Sequence, residues 1–292
     1  MAKAPLMEKV LGKLLNLSGF ESRVVGAKHR RLHVFVGEGS GSLPPIMLVH
    51  GIGASASSFG PLMHLLRSSF SKIIVPDFPG HGQSAPIPNL KGHDQMFSET
   101  CASLTEFIRE PIYLFGNSMG GAFSVYWAEH YRELTRGLML CSPAGAPMEK
   151  RELDAFRSQF DLSTLAKARN FAGKLTHSMP APAAWLLALS LREVFATKTV
   201  RTLLANLTPG DGLHPDVLAS LDMPVMFLWG KSEHLMPEVH FNYFAAHLPG
   251  HVYITRPERF GHCPQLDRPA ELARYIVDFS SSATQSKVRG AA

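Results

Sequence analysis

The run Phe115-Gly116-Asn117-Ser118-Met119-Gly120-Gly121 sets a serine between two glycines, after a strand-like stretch and before a helix-like one. A serine carried on so sharp a turn has a strained backbone, and side chains two residues either side of it would collide. The turn lifts the Ser118 hydroxyl to a sheet edge, and Gly-x-Ser-x-Gly at such a junction is the pattern of a nucleophile elbow. It also aims the Met119 N–H and the N-terminus of the following helix at developing negative charge. A second glycine turn, His50-Gly51-Ile52-Gly53-Ala54-Ser55, follows another strand-like run. It offers the Ile52 N–H as a second donor for the same charge, or else is a turn leading into a helix with Ser55 as its cap.

A nucleophilic serine needs a base, and neutral imidazole is the usual one. Of 14 histidines, His262 stands out because Arg259-Phe260-Gly261-His262-Cys263-Pro264 falls between the last strand-like run and the last helix. A third group must orient the imidazole and balance its charge. Glu233 is the only acid in Gly230-Lys231-Ser232-Glu233-His234, the loop after another strand. Any one of these residues has an ordinary reading as turn or solvated loop. Together they give the chain order Ser118, Glu233, His262, with each member at a strand's carboxyl end.

The elements that must hold them alternate. Strand-like runs at 31–36, 46–49, 72–76, 112–115, 137–141, 225–229 and 252–255 are separated by helix-length stretches at 56–67, 94–109, 119–131, 239–246 and 269–279. Such alternation implies a mostly parallel sheet covered by helices on both faces, with ligand chemistry at the strands' carboxyl ends. The alternation stops at 147–215, a wholly helical stretch. Nine Lys/Arg stand against five Asp/Glu between 147 and 205. We read it as an inserted helical cap, flanked by core segments 20–146 and 216–280. Most of its apolar residues, Phe156, Phe160, Leu165, Phe171, Trp185, Leu186, Leu189 and Phe195 among them, are expected to pack the cap, with a few lining the entrance to the site.

The 292 residues are 45% hydrophobic and carry a net charge of +5, a packed globule whose basic excess is too small to imply nucleic acid. Three separated cysteines, Cys101, Cys141 and Cys263, suggest reduced thiols and a cytoplasmic location rather than a disulfide framework. The longest uncharged apolar stretch, 178–191, is interrupted by Pro180 and Pro182 and falls short of the ~20 residues of a spanning helix. Residues 1–19 carry Leu6, Val10, Leu11, Leu14, Leu15 and Leu17 at helical spacing, broken by Glu8, Lys9, Gly12 and Lys13, so no secretory-type core is present. They read first as an amphipathic helix docked on the domain and second as a membrane-surface or partner contact. The small polar residues 281–292 read as a flexible tail.

Taken together, HGIGAS at 50–55, DFPGHGQS at 77–84, GNSMGG at 116–121, GKSEHLMP at 230–237 and GHCPQLDRP at 261–269 resemble the α/β-hydrolase superfamily over about residues 20–279. The resemblance implies the α/β-hydrolase fold, an eight-stranded, mostly parallel sheet with a cap after the sixth strand. It aligns Ser118 with the nucleophile, His262 with the base, and Ile52 and Met119 with the oxyanion donors, and it makes His81 structural. Most relatives with this acid loop carry Asp where this chain has Glu233, one methylene longer. The resemblance implies a cofactor-free, metal-free serine hydrolase acting on a small-molecule ester or acyl substrate. The elbow is also similar to that of meta-cleavage-product hydrolases, which break a carbon–carbon bond. Those typically have Trp after the histidine, where Cys263 stands here, and a proline at the position of Ala54. A non-catalytic ligand-binding member of the fold is the third reading.

Overall fold

The computed structural model of the chain describes residues 6–27 and 30–290. Eight strands form one sheet: β1 (Glu21–Val25), β2 (Leu32–Glu38), β3 (Ile46–Val49), β4 (Lys72–Pro76), β5 (Ile112–Asn117), β6 (Thr135–Cys141), β7 (Val225–Leu228) and β8 (Tyr253–Thr255). Their spatial order is β1-β2-β4-β3-β5-β6-β7-β8. β1 and β2 run antiparallel to their neighbours, and the remaining pairs are parallel. The central strands are apolar on both sides (IMLV in β3, VMFL in β7) and wholly buried, as a sheet covered on both faces requires. The edge strand β1 was not among the strand-like runs. Its Glu-Ser-Arg start is solvent-exposed, so it carries no apolar pattern and is fixed by its ladder with β2.

On one face of the sheet lie α2 (Gly60–Leu66) and α12 (Pro269–Gly290), whose Leu62, Leu66, Leu272 and Ile276 share a core cluster. On the other lie α3 (His93–Thr105), α4 (Met119–His130) and α10 (Glu238–His247), through Leu104, Phe123, Trp127 and Phe244. Adjacent strands β3 and β5 therefore send their helices, α2 and α4, to opposite faces. That divergence opens a crevice at their carboxyl ends, the place where open α/β sheets bind ligands. Val49 pairs with Gly116 there, so the glycine turn at 50–55 and the elbow at 116–121 leave the sheet side by side.

Between β6 and β7 the chain forms α5 (Lys150–Ser158), α6 (Leu165–Leu175), α7 (Ala181–Phe195), α8 (Lys198–Ala205) and the short α9 (Pro215–Ala219). The first four carry a core of their own around Phe160, Phe171 and Phe195, whose ring centroids stand 5.3–5.5 Å apart. α9 instead contributes Leu218 to the main core.

The carboxyl-terminal segment differs from expectation. The stretch taken for a flexible tail from 281 continues α12 as helix to Gly290, while residues 291–292 lie outside the described residues. The Tyr113 hydroxyl, hydrogen-bonded to the Ser280 carbonyl at 3.0 Å and to Thr284 Oγ1 at 2.8 Å, and the burial of Ala283 hold these small residues onto β5.

The amino-terminal helix α1 (Leu6–Leu17) docks through buried Leu15 and through Glu8. The Glu8 carboxylate accepts from Ser55 Oγ at 2.7 Å and Ser57 Oγ at 3.0 Å, at the turn Ala56–Phe59 that follows the glycine loop. Burial raises the Glu8 pKa above its usual value, and the two hydroxyls only partly offset that. A carboxyl raised on folding contributes stability below its unfolded pKa that is lost as pH rises through the folded value. Glu8→Gln keeps an acceptor for the serines and removes the charge. Its stability relative to the parent should therefore grow as pH rises above about 4, the ordinary value for glutamate, in thermal-unfolding series. Equal differences at every pH would mean a solvated Glu8.

Candidate active site

Ser118 sits at the junction of β5 and α4 with φ 58° and ψ −121°. A non-glycine residue there carries strain of about 1–3 kcal/mol, and the surroundings hold it. Its N–H donates to Cys141 O at 3.1 Å, and its carbonyl accepts from Gly121 N at 2.8 Å and Ala144 N at 3.0 Å. Glycine is required at 116 because a Cβ would stand 2.2 Å from Gly120 O. The neighbouring loop also packs tightly, since a Cβ at Gly51 would lie 3.1 Å from Ser118 Cβ.

His262 and Glu233 approach from the loops after β8 and β7. His262 Nδ1 and Glu233 Oε2 are 2.8 Å apart, with both side chains 2% exposed. The other carboxylate oxygen, Oε1, accepts from Leu235 N at 2.8 Å and Met236 N at 3.0 Å. Burial works to raise the Glu233 pKa, but the facing His262 and the backbone donors outweigh it, and the carboxyl titrates below its usual range. An ionised carboxylate only accepts, so the shared proton is on His262 Nδ1, and in the neutral imidazole Nε2 is the nitrogen left with a lone pair. The longer side chain of Glu233 thus reaches the imidazole without leaving an oxygen unpaired.

Ser118, Met119, Ile52 and His262 all line one cavity of about 990 Å³; Glu233 lies behind His262. Cap residues such as Phe156 and Leu187 face core residues such as Phe97 across it. Its volume is at the upper end for ligand pockets. His50 fixes the Ile52 amide. Its Nε2 accepts from Phe78 N at 3.1 Å, so its Nδ1–H donates to Gly51 O at 2.8 Å. The planar trans peptide then turns the Ile52 N–H the opposite way. Among the described residues no protein group takes the Ile52 or Met119 N–H. The arrangement can therefore supply a nucleophile, a neutral base with its orienting carboxylate, and two unspent backbone donors beside one cavity. His81, read from sequence as structural, is buried with Nδ1 3.3 Å from Pro79 O, and burial lowers its pKa to about 3. Among the described residues no cluster of three or more His, Cys, Asp or Glu is placed to hold a metal ion.

The model of the alpha/beta hydrolase family matches residues 46–275. The chain belongs to that family. Lipase 1 of Psychrobacter immobilis is 21% identical to this α/β-hydrolase, over 94% of this chain and 88% of that one. Among solved structures, carboxylesterase CesB from Bacillus subtilis superposes with a TM-score of 0.75 at 19% identity, covering 93% of this chain and 95% of its own. The 2-hydroxy-6-oxo-6-phenylhexa-2,4-dienoate hydrolase of Rhodococcus sp. strain RHA1 gives 0.75 at 23%, covering 89% and 98%. At these identities the two structures show the shared fold.

Sequence reasoning passed over Asn117. Its buried side chain donates through Nδ2 to His262 O at 2.7 Å and Cys141 O at 3.1 Å, and its Oδ1 accepts from Gln265 Nε2 at 3.0 Å. It ties the histidine loop to the elbow, across separations no local pattern reveals. A further set, Ser22–His33–Asp77, has the look of a second relay: Ser22 Oγ is 2.6 Å from His33 Nε2, and His33 Nδ1 is 2.8 Å from Asp77 Oδ2. Ser22 lies on the edge strand and lines no part of the cavity, while Asp77 also accepts from Ala56 N and Gln83 N. That relay organises the 77–84 turn.

Asn117→Asp keeps the shape but sets a carboxylate against two carbonyl oxygens. The unfolding free energy in urea should fall by about 3 kcal/mol. A loss under about 1 kcal/mol would mean that the histidine loop is held elsewhere.

Proposed function

We propose that this α/β-hydrolase is a serine hydrolase cleaving carboxylic esters through an acyl-enzyme on Ser118. The observation that carries the reading is the Glu233–His262 pair beside a cavity that also holds a strained serine and two free backbone N–H groups. His262 Nε2 takes the Ser118 proton as Oγ bonds to the ester carbonyl carbon. The oxygen, now anionic, accepts from the Ile52 and Met119 N–H groups. Collapse expels the alcohol, which takes the proton from His262. Water then attacks the acyl-enzyme, gives its proton to His262 and releases the acid as Ser118 recovers its own.

The lipase and esterase names of the relatives support an ester substrate. The mostly apolar walls, Phe97, Phe156, Phe160 and Leu187 among them, favour an acyl chain or aromatic group. A small-molecule substrate and a cytoplasmic location belong to the same proposal, the latter on three unpaired thiols.

Purified enzyme and its Ser118→Ala variant should be compared on p-nitrophenyl esters of graded acyl length and on one meta-cleavage dienoate. Serine-dependent ester turnover with an optimum at medium or long chains is expected. Faster loss of the dienoate would favour the carbon–carbon hydrolase, and silence on both with an intact fold a binding role. Glu233→Gln has a sharper signature. Leu235 and Met236 N–H demand its oxygen, so its NH₂ must face His262 Nδ1 and force the wrong tautomer. The kcat should drop by about 10³–10⁴; a loss under about tenfold would show that another group balances the imidazole.

A further inference from the structure

Helix α1 has two apolar faces where a surface helix ordinarily has one. Its inner face, Glu8, Leu11 and Leu15, packs on the domain. Its outer face is a stripe of Met7, Val10, Leu14 and Leu17, which are 38%, 47%, 56% and 86% exposed. At 100° per residue the stripe is continuous over three turns, and exposed Lys13 and Lys9 follow along one edge of it. The sequence pattern puts Val10, Leu14 and Leu17 in one stripe with Leu11 and Leu15, read first as docked on the domain and second as a membrane-surface or partner contact. The structure leaves the first three in water because the Glu8 contact with Ser55 and Ser57 fixes the helix's rotation.

A second exposed apolar patch lies on cap helix α7. Trp185, Leu186 and Leu189 are 46%, 50% and 37% exposed, with exposed Arg192 one turn on. The two patches reach the same cavity. Met7 of α1 and Leu186 of α7 both line the cavity that holds Ser118, so each patch runs from the cavity rim outward.

We propose that these two patches form one docking surface for an anionic lipid bilayer, on which the enzyme lies with its cavity opening toward the acyl region. The observations select this occupant in three ways. Exposed leucines flanked by an exposed Trp and by Lys/Arg supply the acyl, interfacial and headgroup contacts that a bilayer surface offers. The charge is complementary, since the cap carries four more basic than acidic residues between 147 and 205, and the chain is +5 overall. Both patches also reach the site, since Met7 and Leu186 line the cavity that holds Ser118. At 12 residues α1 is too short to span, and no helix among the described residues is long and apolar enough to cross a membrane, so the contact is with the surface. The proposal concerns where the molecule sits and stands apart from the chemistry at Ser118.

The test uses the full chain with vesicles of zwitterionic phosphatidylcholine, alone or mixed with phosphatidylglycerol. Trp127 and Trp229 are buried, so Trp185 is the one tryptophan of the three that solvent reaches. Its emission should shift to the blue and lose acrylamide quenching when mixed vesicles are added. Binding should weaken in high salt. Leu14→Glu/Leu17→Glu, two exposed positions outside the cavity wall, should weaken co-sedimentation at least about tenfold and leave turnover of a water-soluble short ester unchanged. No co-sedimentation with either vesicle, or binding that ignores both the double substitution and Trp185, would overturn the proposal. So would a concentration-dependent dimer that the double substitution dissolves while vesicles go unbound, because the patches would then meet a second copy of the chain.

Discussion

Everything at the proposed reaction centre hangs on one residue held in an unfavourable backbone conformation. Ser118 occupies a positive φ that an unconstrained serine would leave. It stays because its N–H is bound to β6 through Cys141, its carbonyl is taken from two directions, and glycines at 116 and 51 let neighbouring backbone come within contact of it. The strain lifts the side chain off the sheet where the adjacent strands β3 and β5 send α2 and α4 to opposite faces. The crevice, the elbow and the placing of the 50–55 glycine loop beside it follow from the pairing of β3 with β5.

The second constraint is a buried charge. A carboxylate out of water is costly unless its oxygens are fully used, and Glu233 uses both. One oxygen takes two backbone N–H groups of its own loop, and the other takes the imidazole. This division of labour explains how a side chain one methylene longer than the usual aspartate is accommodated. The loop wraps the far oxygen, which sets the near one at hydrogen-bond distance from Nδ1. Asn117 then fastens the histidine loop to the elbow, so Ser118 and His262 are positioned by one buried amide as well as by their own strands.

What could be read from the sequence was what glycine and short apolar runs encode locally. The elbow, the 50–55 turn and the central strands announce themselves because their residue types are demanded by backbone geometry within a few positions. Glu233 and His262 were legible as the acid and the histidine of two loops at strand ends. The parts that escaped depend on distant partners. Asn117 reaches a carbonyl 145 residues away, β1 is polar and exists through its ladder, and the small residues after 280 are helical because Tyr113 receives them. The outward turn of Val10, Leu14 and Leu17 escaped for the same reason, since a stripe on a helical wheel does not say which side faces the domain.

Among the described residues two buried His–carboxylate pairs accompany a serine, His262–Glu233 by the cavity that Ser118 lines and His33–Asp77 beside Ser22, and they are unequal. Ser118 stands over a large cavity with free backbone donors, whereas Ser22 stands on an exposed edge strand with neither. Treatment with a serine-reactive fluorophosphonate, followed by intact-mass and peptide mass spectrometry, separates them in one experiment. The account predicts a single adduct on Ser118. No adduct on folded protein, or an adduct on Ser22 with Ser118 unmodified, would contradict it.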